Sequence, residues 1–191
     1  MGFLDSVMGR KKPARPNLDA LFALPSAAIT LEVEMGIRPT GRGSVAFRAP
    51  EGVAFNEVEA EVRALLDADG GPPVEFAKDD FGFTWLVVRT EPADLSAVIT
   101  DIHAVNSTLV HAGFGPQLLC SLVSFRDSAD VPIALVYLFK QGTFYPFVPE
   151  LGSTEKRNNV LELQIRDRVT AELPIEGDLQ RWFAVWGAPG L

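Results

Sequence analysis

The spacing of apolar residues changes several times along this chain, and each change predicts an element. Phe3, Leu4, Val7 and Met8 fall at helical spacing, but Gly9 and a basic, Pro-punctuated run end that stripe within about two turns. Asn17 then reads as the N-cap of a short helix carrying Leu18, Leu21, Phe22 and Leu24, with Pro25 as its end. From residue 28 the period becomes two. Ile29, Leu31, Val33 and Met35 alternate with Thr30, Glu32 and Glu34, which predicts a half-buried strand. Pro39-Thr40-Gly41 reads as a turn and Ser44–Arg48 as the returning strand. Helical spacing resumes over 56–69, where Asn56 and Glu59 resemble a capping box, Val58, Val62, Leu65 and Leu66 form the stripe, and Gly70 closes it.

After the break at Gly70-Gly71-Pro72-Pro73, Val74–Lys78 and Phe83–Arg89 read as a hairpin across Asp79-Asp80. Thr90 and Pro92 open a helix that buries Leu95, Val98, Ile99, Ile102 and Leu109 and stops at Gly113. Leu118–Phe125, Ile133–Phe139 and Thr143–Val148 form a meander. The near-continuous apolar runs of its first two strands place it at the sheet centre. A helix over 159–173 carries Leu161, Ile165, Val169 and Leu173, and a last one begins at Asp178 with Leu179, Trp182, Phe183 and Trp186. The fold class is therefore α+β, a mostly antiparallel sheet of hairpins and a three-stranded meander with helices on one face. Residues 1–16 read as an appendage and 17–191 as one domain. Two sub-sheets joined by helix 91–113 are the alternative arrangement.

Charge and composition narrow the classes. The 191 residues hold 17 Lys+Arg against 25 Asp+Glu, a formal net charge of −8, which argues against nucleic acid as the main partner. The imbalance is uneven: residues 1–15 carry four basic side chains and one acidic one. No run of about 18 uncharged apolar residues exists to predict a membrane span. The N-terminus places its apolar residues before its basic ones, the reverse of a secretory signal, so a cytoplasmic location is expected. The single cysteine, Cys120, cannot form an internal disulfide and fits a reducing compartment.

Sites for chemistry are sparse. Gly41-Arg42-Gly43 and Gly113-Phe114-Gly115 lack the third glycine and the strand-to-helix setting of a dinucleotide site. His103 and His111 share one predicted helix at a separation of roughly 12 Å of rise, too far to hold one metal ion. No cofactor and no metal are expected. An enzyme, of hydrolase type with an unrecognised site, would need Cys120 with His111 or carboxylates assembled from separate segments. Binding has better candidates. Phe3, Leu4, Val7 and Met8, flanked by Arg10, Lys11 and Lys12, suit weak contact with an anionic membrane surface. Phe144, Tyr145 and Phe147, and Trp182, Phe183 and Trp186, are aromatic clusters that suit either core packing or a protein partner.

Across almost its whole length the chain resembles a known family. The segments MGFLDSVMGRKKP, RPNLDALFALPSAAITL, RALLDADGGPPVE, HAVNSTL with GFGPQLLCSLV, ALVYLFKQGTFYPF and RWFAVWGAPGL are similar to those of the actinobacterial PspA-associated family PspAB. The resemblance implies association with a PspA-like protein, a coiled-coil protein that maintains the cytoplasmic membrane under stress. It carries no catalytic residues across. The expected function is thus a non-enzymatic cytoplasmic accessory of that partner, peripheral at the inner membrane through residues 1–16. A chaperone-like or adaptor domain for another protein is the alternative.

Overall fold

The computed structural model describes residues 16–48, 57, 59–60, 63–64, 74–79, 81–90, 94–150, 152 and 155–191. The apolar-basic segment at residues 3–12 lies outside them, as do Asn56, Val58, Val62, Leu65 and Leu66 of the helix expected over 56–69. The described residues of that segment, Glu57, Glu59, Ala60, Arg63 and Ala64, are helical.

After a 3-10 turn at Leu18–Ala23, helix α1 runs over Leu24–Met35, and strand β1 follows at Arg38–Phe47. The hairpin β2 (Glu75–Lys78) and β3 (Thr84–Arg89) precedes the long helix α2 (Leu95–His111). The meander β4 (Leu118–Arg126), β5 (Pro132–Leu138) and β6 (Thr143–Phe147) leads to helix α3 (Asn159–Val169). The six strands form one antiparallel sheet in the order β2-β3-β1-β4-β5-β6, so the α+β expectation holds and the sheet is not split.

Three expectations are corrected. Residues 28–35 are helix, not strand. Pro25 sits in the first turn of α1, where its missing N–H costs nothing, and starts the helix instead of ending an earlier one. The core face of α1 is Leu24, Ala27, Ala28 and Leu31, a helical stripe made half of alanines, while the alternating Ile29 and Val33 point outward. Gly36 ends the helix at φ 66°, its N–H donating to the Glu32 carbonyl and that of Ile37 to the Leu31 carbonyl.

Pro39-Thr40-Gly41 is no hairpin turn either. It lies inside β1 at an irregularity in the pairing with β4 between Pro39 and Gly43, where a bulge tolerates proline. The central pair is therefore β1–β4, and the meander forms one half of the sheet.

The C-terminal helix is the third correction. Only Leu179–Arg181 is helical, as a single 3-10 turn. The Trp182 and Phe183 carbonyls bond instead to Arg157 and Tyr145 side chains.

The sheet is covered on both faces. Phe47, Leu86, Val88, Val123, Phe125, Leu135, Tyr137 and Phe144 meet the buried stripes of the three helices. The long helix α2 is fixed by Asn106, whose Nδ2 donates to the Ile102 carbonyl and to Ser121 Oγ on β4, both at 2.8 Å. The opposite face, with Ala46, Trp85, Leu122, Val136, Tyr145 and Phe147, is covered by the extended C-terminal segment through Trp182, Val185 and Ala188. That segment starts at the β6 edge. Phe144 N–H donates to the Pro174 carbonyl, Glu176 N–H donates to the Phe144 carbonyl, and Ile175 forms a parallel bridge with Phe144. It ends over mid-sheet, with Gly190 against the Gly43 carbonyl and Val87. This double cover explains the near-continuous apolar runs of β4 and β5.

Gly43 marks the closest approach of α2 to the sheet. A Cβ there would sit 2.5 Å from Ile102 Cδ1 and 2.9 Å from the Leu122 carbonyl oxygen, and the backbone neighbour cannot swing away. Gly43→Ala is expected to destabilise the fold by about 1–3 kcal/mol, read as a lower midpoint in a denaturant melt with unchanged slope.

Candidate functional site

A cleft of about 620 Å³ opens on the tail-covered face, at the end of the sheet where β1 stops and β4 starts. Its floor follows from strand register. Ala77, Trp85, Ala46, Cys120 and Leu138 lie side by side on neighbouring strands. The two mid-sheet positions of that row hold small side chains, Ala46 and Cys120, between the larger Trp85 and Leu138. The hollow is the space that larger residues would occupy. Phe81 and Phe83 of the β2–β3 turn form one wall, and Phe183, Val185 and Trp186 of the C-terminal segment form another. Lys140, Gln141 and Arg181 stand among the polar lining residues.

The walls are held by polar ties behind the apolar surface. Asp79 Oδ1 accepts from the N–H groups of Phe81 and Phe83, at 3.0 and 2.9 Å, and its Oδ2 accepts from Trp85 Nε1 at 2.8 Å. One carboxylate thus fixes both the turn and the indole. On the other side the Tyr145 hydroxyl donates to the Phe183 carbonyl at 2.8 Å, and Trp182 stacks on Tyr145 with ring centroids 5.9 Å apart. Arg157 Nη1 donates to the Trp182 carbonyl at 2.6 Å, while Arg157 Nε donates to the buried carboxylate of Glu162 at 2.9 Å.

This arrangement disfavours covalent chemistry at Cys120. Burial, reinforced by the nearby Asp79 carboxylate, pushes the thiol up to about 12, so it stays protonated at neutral pH. Burial likewise raises the Tyr145 phenol well above its ordinary value. His111 is not among the cleft residues; its Nδ1 lies 2.8 Å from the Ser107 carbonyl within α2. His103 instead faces Phe22, ring centroids 4.9 Å apart, and Asp19. Among the described residues no cluster of three or more His, Cys, Asp or Glu could hold a metal ion.

The sequence-predicted aromatics divide sharply. Phe144, Tyr145 and Phe147 are fully buried and Trp182 nearly so, and none of them forms an exposed patch, although Tyr145 is among the residues that line the cleft. Phe183 is 61% exposed, and Trp186, half-buried, packs edge-on against Phe147 while lining the cleft. Phe81, Phe83 and the Ala46–Cys120 floor were not visible as a site in the sequence, because only strand register brings them together.

A second feature lies on the helical side. Ile29 and Val33 are exposed at 66 and 79% one turn apart on α1, with exposed Ser26 three residues before Ile29, while Phe22, 51% exposed, belongs to the preceding 3-10 turn. That is the seam spacing through which one helix packs on another. Among the described residues no helix is long and apolar enough to cross a membrane.

If the thiol is held neutral by its surroundings, iodoacetamide at about pH 8 alkylates Cys120 in the native protein roughly 10³-fold more slowly than in denaturant, followed by mass spectrometry. The raised thiol also contributes stability that is complete below its ordinary value of 9.0 and is lost as pH climbs toward about 12. Cys120→Ala is expected to flatten that alkaline part of the stability profile.

Comparison with known proteins agrees with the resemblance. No curated protein and no solved structure matches the chain. The family described as PspA associated protein B matches residues 1–190, nearly the whole length. The chain, with its tail-covered antiparallel sheet and aromatic cleft, belongs to the PspAB family.

Proposed function

We propose that this protein is a non-enzymatic accessory that docks on a PspA-like partner through the exposed seam of α1. The family supplies the association with PspA. The observation that supports the docking face is the exposure of Ile29 and Val33 one turn apart on a helix whose other side is fully packed. β-branched residues have no reason of helix propensity to stand there. A coiled-coil partner, as the resemblance describes, presents a seam of the same spacing. Glu32 and Glu34 beside the stripe pair with Arg38 and Arg168, so the flank is close to neutral and does not repel an approaching helix. The Cys120 thiol, held protonated, is not poised as a nucleophile in the cleft. Residues 1–16 add a weak membrane contact through Phe3, Leu4, Val7 and Met8, reinforced by Arg10, Lys11 and Lys12.

The test is co-purification of the tagged full chain with a PspA-like protein from detergent-free lysate. Ile29→Glu combined with Val33→Glu is expected to abolish recovery while changing the unfolding free energy by no more than about 0.5 kcal/mol per substitution, because both positions are exposed. Undiminished recovery would reject the α1 face. For the membrane contact, reversing Arg10, Lys11 and Lys12 to Glu in the full chain is expected to abolish sedimentation with anionic liposomes, and unchanged sedimentation would reject it.

A further inference from the structure

We propose that the cleft on the tail-covered face binds a long-chain fatty acid, its alkyl chain lying over the Ala46–Cys120 floor and its carboxylate at Lys140. The cavity, about 620 Å³, falls in the range of small-molecule sites. Its floor is the face of a sheet, not an edge. The strands beneath it are hydrogen-bonded to neighbours on both sides, so the floor offers no backbone partner to a peptide. A peptide segment would therefore carry N–H and C=O groups into an apolar hollow with nothing to receive them, whereas an alkyl chain carries none. This favours an alkyl ligand over a protein segment at the same place.

The charges around the cleft favour an anionic head. The carboxylates close to it already serve the protein itself. Asp79 accepts three hydrogen bonds from its own turn and Trp85. Glu176 accepts from Thr143 and from the Asp178 N–H, and Asp178 accepts from the Gln180 N–H. Arg181 lies 3.6 Å from Glu176 and 3.7 Å from Asp178, so its charge is partly compensated. Lys140 is exposed and makes no ion pair among the described residues. Beside it the Gln141 side chain accepts from Arg181 through Oε1, at 3.3 Å, which leaves its amide N–H groups to donate. On a chain with a formal charge of −8, the mouth of this cleft is a local site for an anion.

Intrinsic fluorescence reads this site without a label. The chain has three tryptophans: Trp85 and Trp186 line the cleft, and Trp182 stacks on Tyr145, another lining residue. Titrating the full chain with monomeric oleate is expected to change the emission saturably, with a Kd on the order of 10 µM. Ala46→Leu, which fills the floor, is expected to remove the change. Lys140→Glu, at an exposed position that leaves folding intact, is expected to weaken oleate roughly fivefold while leaving oleyl alcohol unaffected. Absence of a saturable change in the unaltered protein would overturn the proposal. So would binding that both substitutions leave intact, or equal affinity for oleate and oleyl alcohol. A fluorescence change produced by dilution alone, without ligand, would mean that a second copy fills the cleft, and would also overturn it.

Discussion

The buried carboxylate of Glu162 holds together the half of the molecule on which the cleft depends. It accepts from the Val148 N–H at 2.8 Å, just past β6, and from Arg157 Nε, while Arg157 reaches on to the Trp182 carbonyl. Helix α3, the end of the meander and the C-terminal segment are thereby fixed to one another by a single charged pair. A carboxylate so deep is costly to desolvate, and here it is offset by two charge-assisted or backbone hydrogen bonds and by the guanidinium lying over the Phe147 ring. The pair adds to the other ties of the C-terminal segment, the Trp182 Nε1 bond to the Glu176 carbonyl and the Tyr145 bond to the Phe183 carbonyl, which together keep the second face of the sheet covered.

That arrangement explains which parts of the fold were legible in the sequence. The hairpin β2–β3, helix α2 and the meander were readable because their apolar residues follow a single period over a full element and end at turn residues such as Gly113, Asp127 and Gly142. Helix α1 was misread because its core face is half alanine, and because its large apolar residues alternate and two of them, Ile29 and Val33, do not enter the core at all. Local pattern and tertiary role disagree at those two positions, and such disagreements concentrate where a surface serves something other than folding. The C-terminal segment was misread for a different reason. Trp182, Phe183 and Trp186 have helical spacing, but the tertiary bonds from Tyr145 and Arg157 to its carbonyls outweigh any local preference for a helix of that length.

The site itself was less legible than the fold. Phe183 and Trp186 stood out as residue types, yet the residues that make the cleft concave are an alanine and a cysteine. Small residues are conspicuous only once register places them side by side in mid-sheet. The same register turned Phe144, Tyr145 and Phe147 from an apparent aromatic surface into packing on two opposite faces of one strand. Among the described residues the exposed stripe of α1 and the apolar cleft lie on opposite sides of the sheet.

The sealing of the β6 edge limits how this protein can associate. Residues 174–176 occupy the hydrogen-bonding groups of Phe144, and the opposite edge is the four-residue strand β2, with exposed Glu75 and Lys78 at its ends. A partner strand arriving at either side finds a blocked ladder or a short charged one. Extension of the sheet from one molecule into the next, by strand exchange or by fibril growth, is thereby discouraged. Among the described residues neither edge of the sheet offers an open ladder to a second chain.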